Sequence, residues 1–384
     1  MTTETLPRRR RSTLGEFGSS VATIMSKELR SRFRGRRAFI VLTIYLGALA
    51  LIAYGAYISA GPNAVSQPVL GPDGTAFIGA NASATIGQAI FALLSVFQLM
   101  LVAFLAPAFT TGAISLEREK ATLDLLITTP LRPGAIVVGK LLSALAFVVL
   151  LILAGIPVSA LVLMYGGASI QDILRAQVVL LVSAAGFGVI GLFCSALLKR
   201  TQGATVIAYS TVLFLTVGTF FIWRLWTAGL AGSTDGAFGA PSRAPEGLLY
   251  LNPAVAMIEI VADTEITQGD MGKIMAEIRG TSGFVCVGDS CFTQGGGGGV
   301  IAPQGLKPGV AIDCPPNARC VDPTFTGVFD PQPAETGHFW PRFALTFAGL
   351  SILLTLASMR LVVPAGLRFN PFRRRARAAA GTEP

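Results

Sequence analysis

Charge is scarce in this chain. Asp, Glu, Lys and Arg make up 13% of its 384 residues, while 52% are hydrophobic. Soluble domains carry about a quarter charged residues, and the mean hydropathy of +0.63 points away from that class too. A soluble reading would bury six separate apolar runs in one core, an implausible arrangement at this length. Histidine is nearly missing, since His338 is the only one. Beside Phe339 and Trp340 it reads as an interfacial residue rather than a catalyst or a ligand. No spaced set of carboxylate, histidine and serine suggests hydrolysis. A Gly-x-x-x-x-Gly-Lys-Ser/Thr phosphate loop is also missing. Residues 134–140, GAIVVGK, have the glycine spacing and the Gly-Lys of that motif, but Leu141 stands where it needs Ser or Thr. The chain therefore does not hold ATP in the Walker manner.

Apolar runs fill the space that charge leaves. Residues 38–60, 86–111, 141–164, 177–198, 203–222 and 343–363 are each long enough to cross a bilayer as a helix. Pro107 and Pro157 predict bends in the second and third. The first run follows a basic start but is not followed by the usual small-residue cleavage site, so it reads as a retained helix. The spans contain no clear internal acid or base, which argues against a proton-driven transporter or an ion pump.

The charges that do occur are segregated. Six spans put both ends of the chain on one side. Residues 1–37, 113–140, 199–202 and 360–384 together hold 22 Lys and Arg against 7 Asp and Glu, whereas the remainder holds 8 against 14. The excess of +15 over −6 places both termini in the cytoplasm. The net charge of +9 thus reflects a membrane surface and not nucleic acid. Within residues 1–37, a tail precedes a helix that begins with the capping-box spacing of Thr13 and Glu16. Leu14, Phe17, Val21, Ile24 and Phe33 recur at near-helical intervals, and Lys27, Arg30, Arg32, Arg34, Arg36 and Arg37 crowd its far end. This predicts an amphipathic helix on the anionic inner leaflet, with a solvated basic arm as the alternative. Residues 364–384 form a second basic tail.

Between the second and third spans lies GAISLEREKATLDLLITTPLRPGAIVVGK. Residues 115–129 read as a helix with Leu116, Leu123 and Ile127 on one stripe and Glu117, Arg118, Lys120 and Asp124 around it. Pro130 and Pro133 stop it. A mere connection would not require such a helix. The stretch SLEREKATLDLLITTPLRPGAIVVGK resembles the signature of ABC-2 type permeases, the membrane subunits of a large class of ATP-binding-cassette exporters. The resemblance implies that the helix couples the chain to a separate ATPase subunit through Glu117, Arg118, Glu119, Thr122, Leu123, Leu126 and Ile127. An ordinary charged cytoplasmic loop is the plainer reading.

Residues 223–342, between the fifth and sixth spans, fall outside the cell by this topology. Asn252 is a good N-cap and Pro253 a good first helical residue, which predicts a helix over 252–262. Leu251, Val255, Ile258 and Val261 fall close to one face, with Glu259 and Asp263 off it. Such a helix between these spans is similar to the re-entrant element of the ABC-2 family, and a packed surface helix is the alternative. Residues 61–85 are rich in turn dipeptides and read as a small hairpin or a loose loop. Four of the five cysteines, Cys286, Cys291, Cys314 and Cys320, cluster in the large segment. Outside the cytoplasm they read as two disulfides with three possible pairings. A tetrathiolate zinc site is the rival, disfavoured by the C-x4-C and C-x5-C spacings. Cys194, inside the fourth span, reads as packing.

The expected architecture is an all-α polytopic membrane protein: six transmembrane helices, an N-terminal interfacial helix, a cytoplasmic coupling helix and a large cysteine-containing external segment. Residues 38–222 hold the first five spans. By resemblance, the chain is a permease subunit that is not catalytic by itself. It pairs with a second copy or a homologous permease, and ATP and Mg are bound by the partner ATPase subunits. No cofactor is expected in this chain. Membrane lipids and an extracytoplasmic protein are further expected partners, and the expected location is a prokaryotic inner or plasma membrane. A membrane anchor or assembly protein that presents the disulfide-bonded segment is the competing reading. A lipid-modifying enzyme is weaker, because catalytic groups are lacking.

Overall fold

The computed structural model describes residues 36–66, 68–70, 76–78, 82–121, 133–198, 200–231, 246–264 and 338–362. It also describes pieces of 18–27, residue 275 and strands at 284–287, 290–294, 300–301 and 319–321. The body of the molecule is helical. Its elements are α1 (Arg36–Ser66), α2 (Ala82–Thr110), α3 (Gly112–Glu119), α4 (Pro133–Tyr165), α5 (Ile170–Leu197), α6 (Thr201–Leu213), α7 (Thr219–Ala231), α8 (Pro253–Thr264) and α9 (Phe339–Val362). Among the described residues, six spans are long and apolar enough to cross a membrane: Phe39–Pro62, Ala82–Glu119, Gly134–Tyr165, Ile170–Leu197, Thr201–Trp226 and Phe339–Leu361. Lipid offers no hydrogen bonds, so a helix, which pairs its own backbone, is the form such runs must take.

α5 is the central helix and the most buried of the six spans. It packs against α2, α4, α6, α8 and α9, and small residues make this possible. A Cβ on Gly191 would lie 2.1 Å from Thr110 Oγ1, and one on Gly186 would lie 2.0 Å from Phe347. Without a side chain at these points, the helices approach to van der Waals contact, the main source of association inside a bilayer. Next to Gly186, Phe187 meets Phe347 edge-on at 5.8 Å. Large apolar side chains such as Phe39, Ile44, Leu51, Val206, Leu213, Leu345 and Ile352 point outward instead. That pattern suits a multi-pass protein whose outer surface faces lipid.

Several elements depart from the sequence reading. α4 starts at Pro133 rather than at residue 141, so Lys140 stands inside the helix and not at its entrance. α9 starts at Phe339, four residues before the predicted sixth span. α6 and α7 form one span interrupted by a π-helical turn, Phe214–Gly218. The predicted helix over 115–129 begins earlier and ends sooner: α3 closes at Glu119, and Ala121 adopts a left-handed φ of 54°. Residues 122–132 lie outside the described residues. The described residues within 18–27 are helical, and Val21 and Met25, one turn apart, are its half-buried positions. The basic residues Arg30, Arg32 and Arg34 lie outside the described set.

Strands occur only beyond the helical body among the described residues. β1 (Pro68–Leu70) and β2 (Ala76–Ile78) pair antiparallel, which makes the 61–85 connection a hairpin. β3 (Phe284–Val287), β4 (Ser290–Gln294), β5 (Val300–Ile301) and β6 (Arg319–Val321) form a sheet in the order β5-β4-β3-β6. Its backbone register sets Cys286 opposite Cys291 in β4 and opposite Cys320 in β6. Cys314 lies outside the described residues.

Candidate functional site

α3 continues the line of α2 with a single break. Thr111 keeps helical angles, and its N–H donates to the Pro107 carbonyl at 2.9 Å. A new helix starting at Gly112 leaves the amides of its first turn without partners from its own helix. Thr111 supplies no side-chain cap. The cap comes from α5 instead. Ser195 Oγ accepts from Ile114 N at 3.0 Å and from Ser115 N at 2.9 Å, and all three residues are buried. Ser115 Oγ in turn donates to Thr111 O at 2.9 Å and shares a hydrogen bond with the Thr201 hydroxyl at 3.1 Å.

The charged residues of α3 extend this clamp. Glu119 Oε1 accepts from Thr201 N, at the opening of α6, at 2.7 Å. α6 has no side-chain cap of its own, so the two helices are capped by each other's neighbourhood. Carboxylate and exposed amide also have favourable charge at that helix end. Arg118 donates to the Ala196 carbonyl at 3.3 Å, at the carboxyl end of α5, where the helix field favours a cation. On the other side, Lys140 Nζ in α4 donates to Ala113 O at 3.1 Å and to Glu117 Oε1 at 2.5 Å. The Lys140 side chain is only 8% exposed and that of Glu117 is 29% exposed. Burying a lysine ammonium is costly unless it is paired, and this pairing supplies the counter-charge.

Three of the seven coupling candidates, Glu117, Arg118 and Glu119, are thus brought together at a joint between α3, α4 and the α5–α6 corner. Thr122, Leu123, Leu126 and Ile127 lie outside the described residues. Leu116, on the same short helix, is exposed. Sequence reasoning missed Ser195, Thr201 and the role of Lys140. Ser195 and Thr201 look like ordinary small residues of an apolar run and a turn. Lys140 was hidden by a helix start placed eight residues too late.

The opposite end of the bundle is built around α8. Asn252 caps it as expected, with Oδ1 accepting from Ala254 N at 2.9 Å, and Pro253 is its first residue. The Asn252 amide also donates to Thr216 O at 2.8 Å and to Thr219 Oγ1 at 2.9 Å. A π-helical turn displaces carbonyls from the regular ladder, and the buried Asn252 receives one of them. The expectation that Glu259 lies off the packed face is overturned: it is fully buried. Its two oxygens accept from Phe339 N and Trp340 N, each at 2.6 Å. Those amides open α9, so Glu259 caps that helix and explains its early start. A backbone demand from a distant element outweighs the side chain's own polarity here.

Six apolar helices around a glycine-lined centre, with a charged helix clamped at one end, define a polytopic membrane protein. A model for ABC-2 family transporter proteins matches residues 22–295, over two thirds of the chain. The chain belongs to that family and is a membrane permease subunit of an ABC transporter. No curated protein matches the chain.

Proposed function

We propose that this permease works as an exporter subunit driven by ATP hydrolysis on a separate subunit that docks at α3 and the residues after it. The clamp at α3 carries the reading. A push on a flexible loop would dissipate, whereas α3 is tied to α4 by an ion pair, to α5 by the Ser195 cap and to α6 by the Glu119 cap. Force arriving there reaches four membrane helices at once. Glu117, Arg118 and Glu119 hold the joint, while Leu116, Thr122, Leu123, Leu126 and Ile127 supply the contact surface. ATP and Mg belong to the partner. The charge asymmetry of the sequence supports placing the joint and both termini in the cytoplasm, with residues 223–342 outside; a prokaryotic membrane and oxidation of the four clustered cysteines as two disulfides belong to the same proposal. The exposed apolar faces of α1, α6 and α7 suit lipid or a second permease, and the working unit is a pair of permeases with two ATPases. Purification in mild detergent tests this directly. A phosphate-loop ATPase should co-purify, and it should be lost with Leu123→Asp while the permease still inserts. Full ATPase association and turnover in that variant would refute the docking assignment.

A further inference from the structure

Where α8 ends and α9 begins, three residues of metal-binding type converge. Glu259 and Asp263 are one helical turn apart on α8, so both side chains leave the same face. His338 immediately precedes α9. One ligand atom from each lies within 4.8 Å of the others. His338 Nδ1 stands 3.9 Å from Asp263 Oδ2. That is too long for a hydrogen bond. It is within a few tenths of the roughly 3.3–3.5 Å that separates tetrahedral ligands when metal bonds are about 2.0–2.2 Å.

We propose that Glu259, Asp263 and His338 form a binding site for a zinc-class divalent cation that ties α8 to the start of α9. The donor set selects the metal. An imidazole with two carboxylates suits zinc and its transition-metal neighbours, whereas calcium and magnesium prefer all-oxygen shells. Three protein ligands leave a further position for water or a donor from elsewhere in the chain. Glu259 is already oriented by the Phe339 and Trp340 amides. Outer hydrogen bonds of this kind commonly fix ligating carboxylates. A carboxylate has about four acceptor positions, so two backbone donors and a cation are compatible on one group. The amino end of α9 repels a cation, and two carboxylates carry enough negative charge to overcome that. Asp263 and His338, both accessible to water at 27% and 56% side-chain exposure, provide the entry route. The site would hold the two ends of the intervening segment together, independently of the transport reading.

Cobalt(II) binding to the full-length, tag-free chain in detergent provides the test, because its visible spectrum distinguishes nitrogen and oxygen ligands from thiolates. The wild type should take up about one cobalt per chain, without thiolate charge-transfer bands, and release it to zinc. His338→Ala and Asp263→Asn, both at accessible positions, should each weaken binding about tenfold or more. The proposal fails if no saturable binding occurs, or if thiolate bands account for all of it. Saturable binding unchanged in both variants would overturn it equally. Thermal unfolding of the metal-free variants shows whether they remain folded, and Glu259→Gln is read separately because it also weakens the α9 cap.

Discussion

Ser195 shows how much one hydroxyl can hold. It accepts from two amides that α3 cannot satisfy by itself. Ser195→Ala should therefore cost about 0.5–2 kcal/mol, the range for a lost helix cap, seen as a lower unfolding midpoint in detergent. If the joint transmits force, the same variant should lose transport-linked ATP turnover by more than its stability loss accounts for. Lys140 makes the complementary case. Glu117→Ala removes a counter-charge from a nearly buried ammonium and should destabilise by about 1–3 kcal/mol. That is below the ~3–5 typical of a fully buried pair, because the Glu117 side chain keeps 29% exposure. Adding Lys140→Met should recover most of the loss. A double-mutant cycle in unfolding midpoints measures the coupling directly, and additive losses would refute the pairing.

At the scale of elements, legibility followed the reach of each signal. Apolar runs are local, and they located all six spans. Asn252 and Pro253 announce a helix start within two adjacent residues, and α8 starts there. The early start of α9 depends on Glu259, 80 residues upstream, and no local pattern carries that. The same holds for α3, whose cap lies 80 residues away in α5. The π-helical turn within the α6–α7 span leaves no periodic trace either, since its displaced carbonyl is received by Asn252. A further expectation belongs to α3. It ends on Ala121 at a φ of 54°, a region that costs an alanine about 1–2 kcal/mol and glycine little. Ala121→Gly should leave the fold intact and raise the unfolding midpoint slightly. A clear fall would show that this ending is not the one adopted in solution.

For the whole molecule, the bundle was readable because lipid imposes a simple rule on composition. Of the strands beyond it, the hairpin within 61–85 was one of two readings of its turn dipeptides, whereas those of 284–321 were not legible, since short runs such as Arg319–Val321 have too few residues to show alternation. Orientation can be tested in intact cells: a cysteine probe at Gly297 should be labelled from outside and one at Ser12 should not. Reaction at Ser12 would invert the assignment. The clustered cysteines offer a second test. Cys286, Cys291, Cys314 and Cys320 should resist alkylation until reductant is added, and four reactive thiols without it would rule out disulfides.

The closeness of Asp263 and His338 also says something about how such a chain could have been assembled. Residues 265–337 depart and return at nearly the same point, while Glu259 secures the following helix from before the departure. A segment with adjacent ends is interchangeable cargo for its host fold. Met275 is buried in the core of the bundle, so replacing the 62 residues after it, 276–337, by a Gly-Ser linker should leave the six helices able to assemble, and a foreign domain should be accepted in their place. Lineages could thus exchange what the permease displays without rebuilding what it does within the membrane.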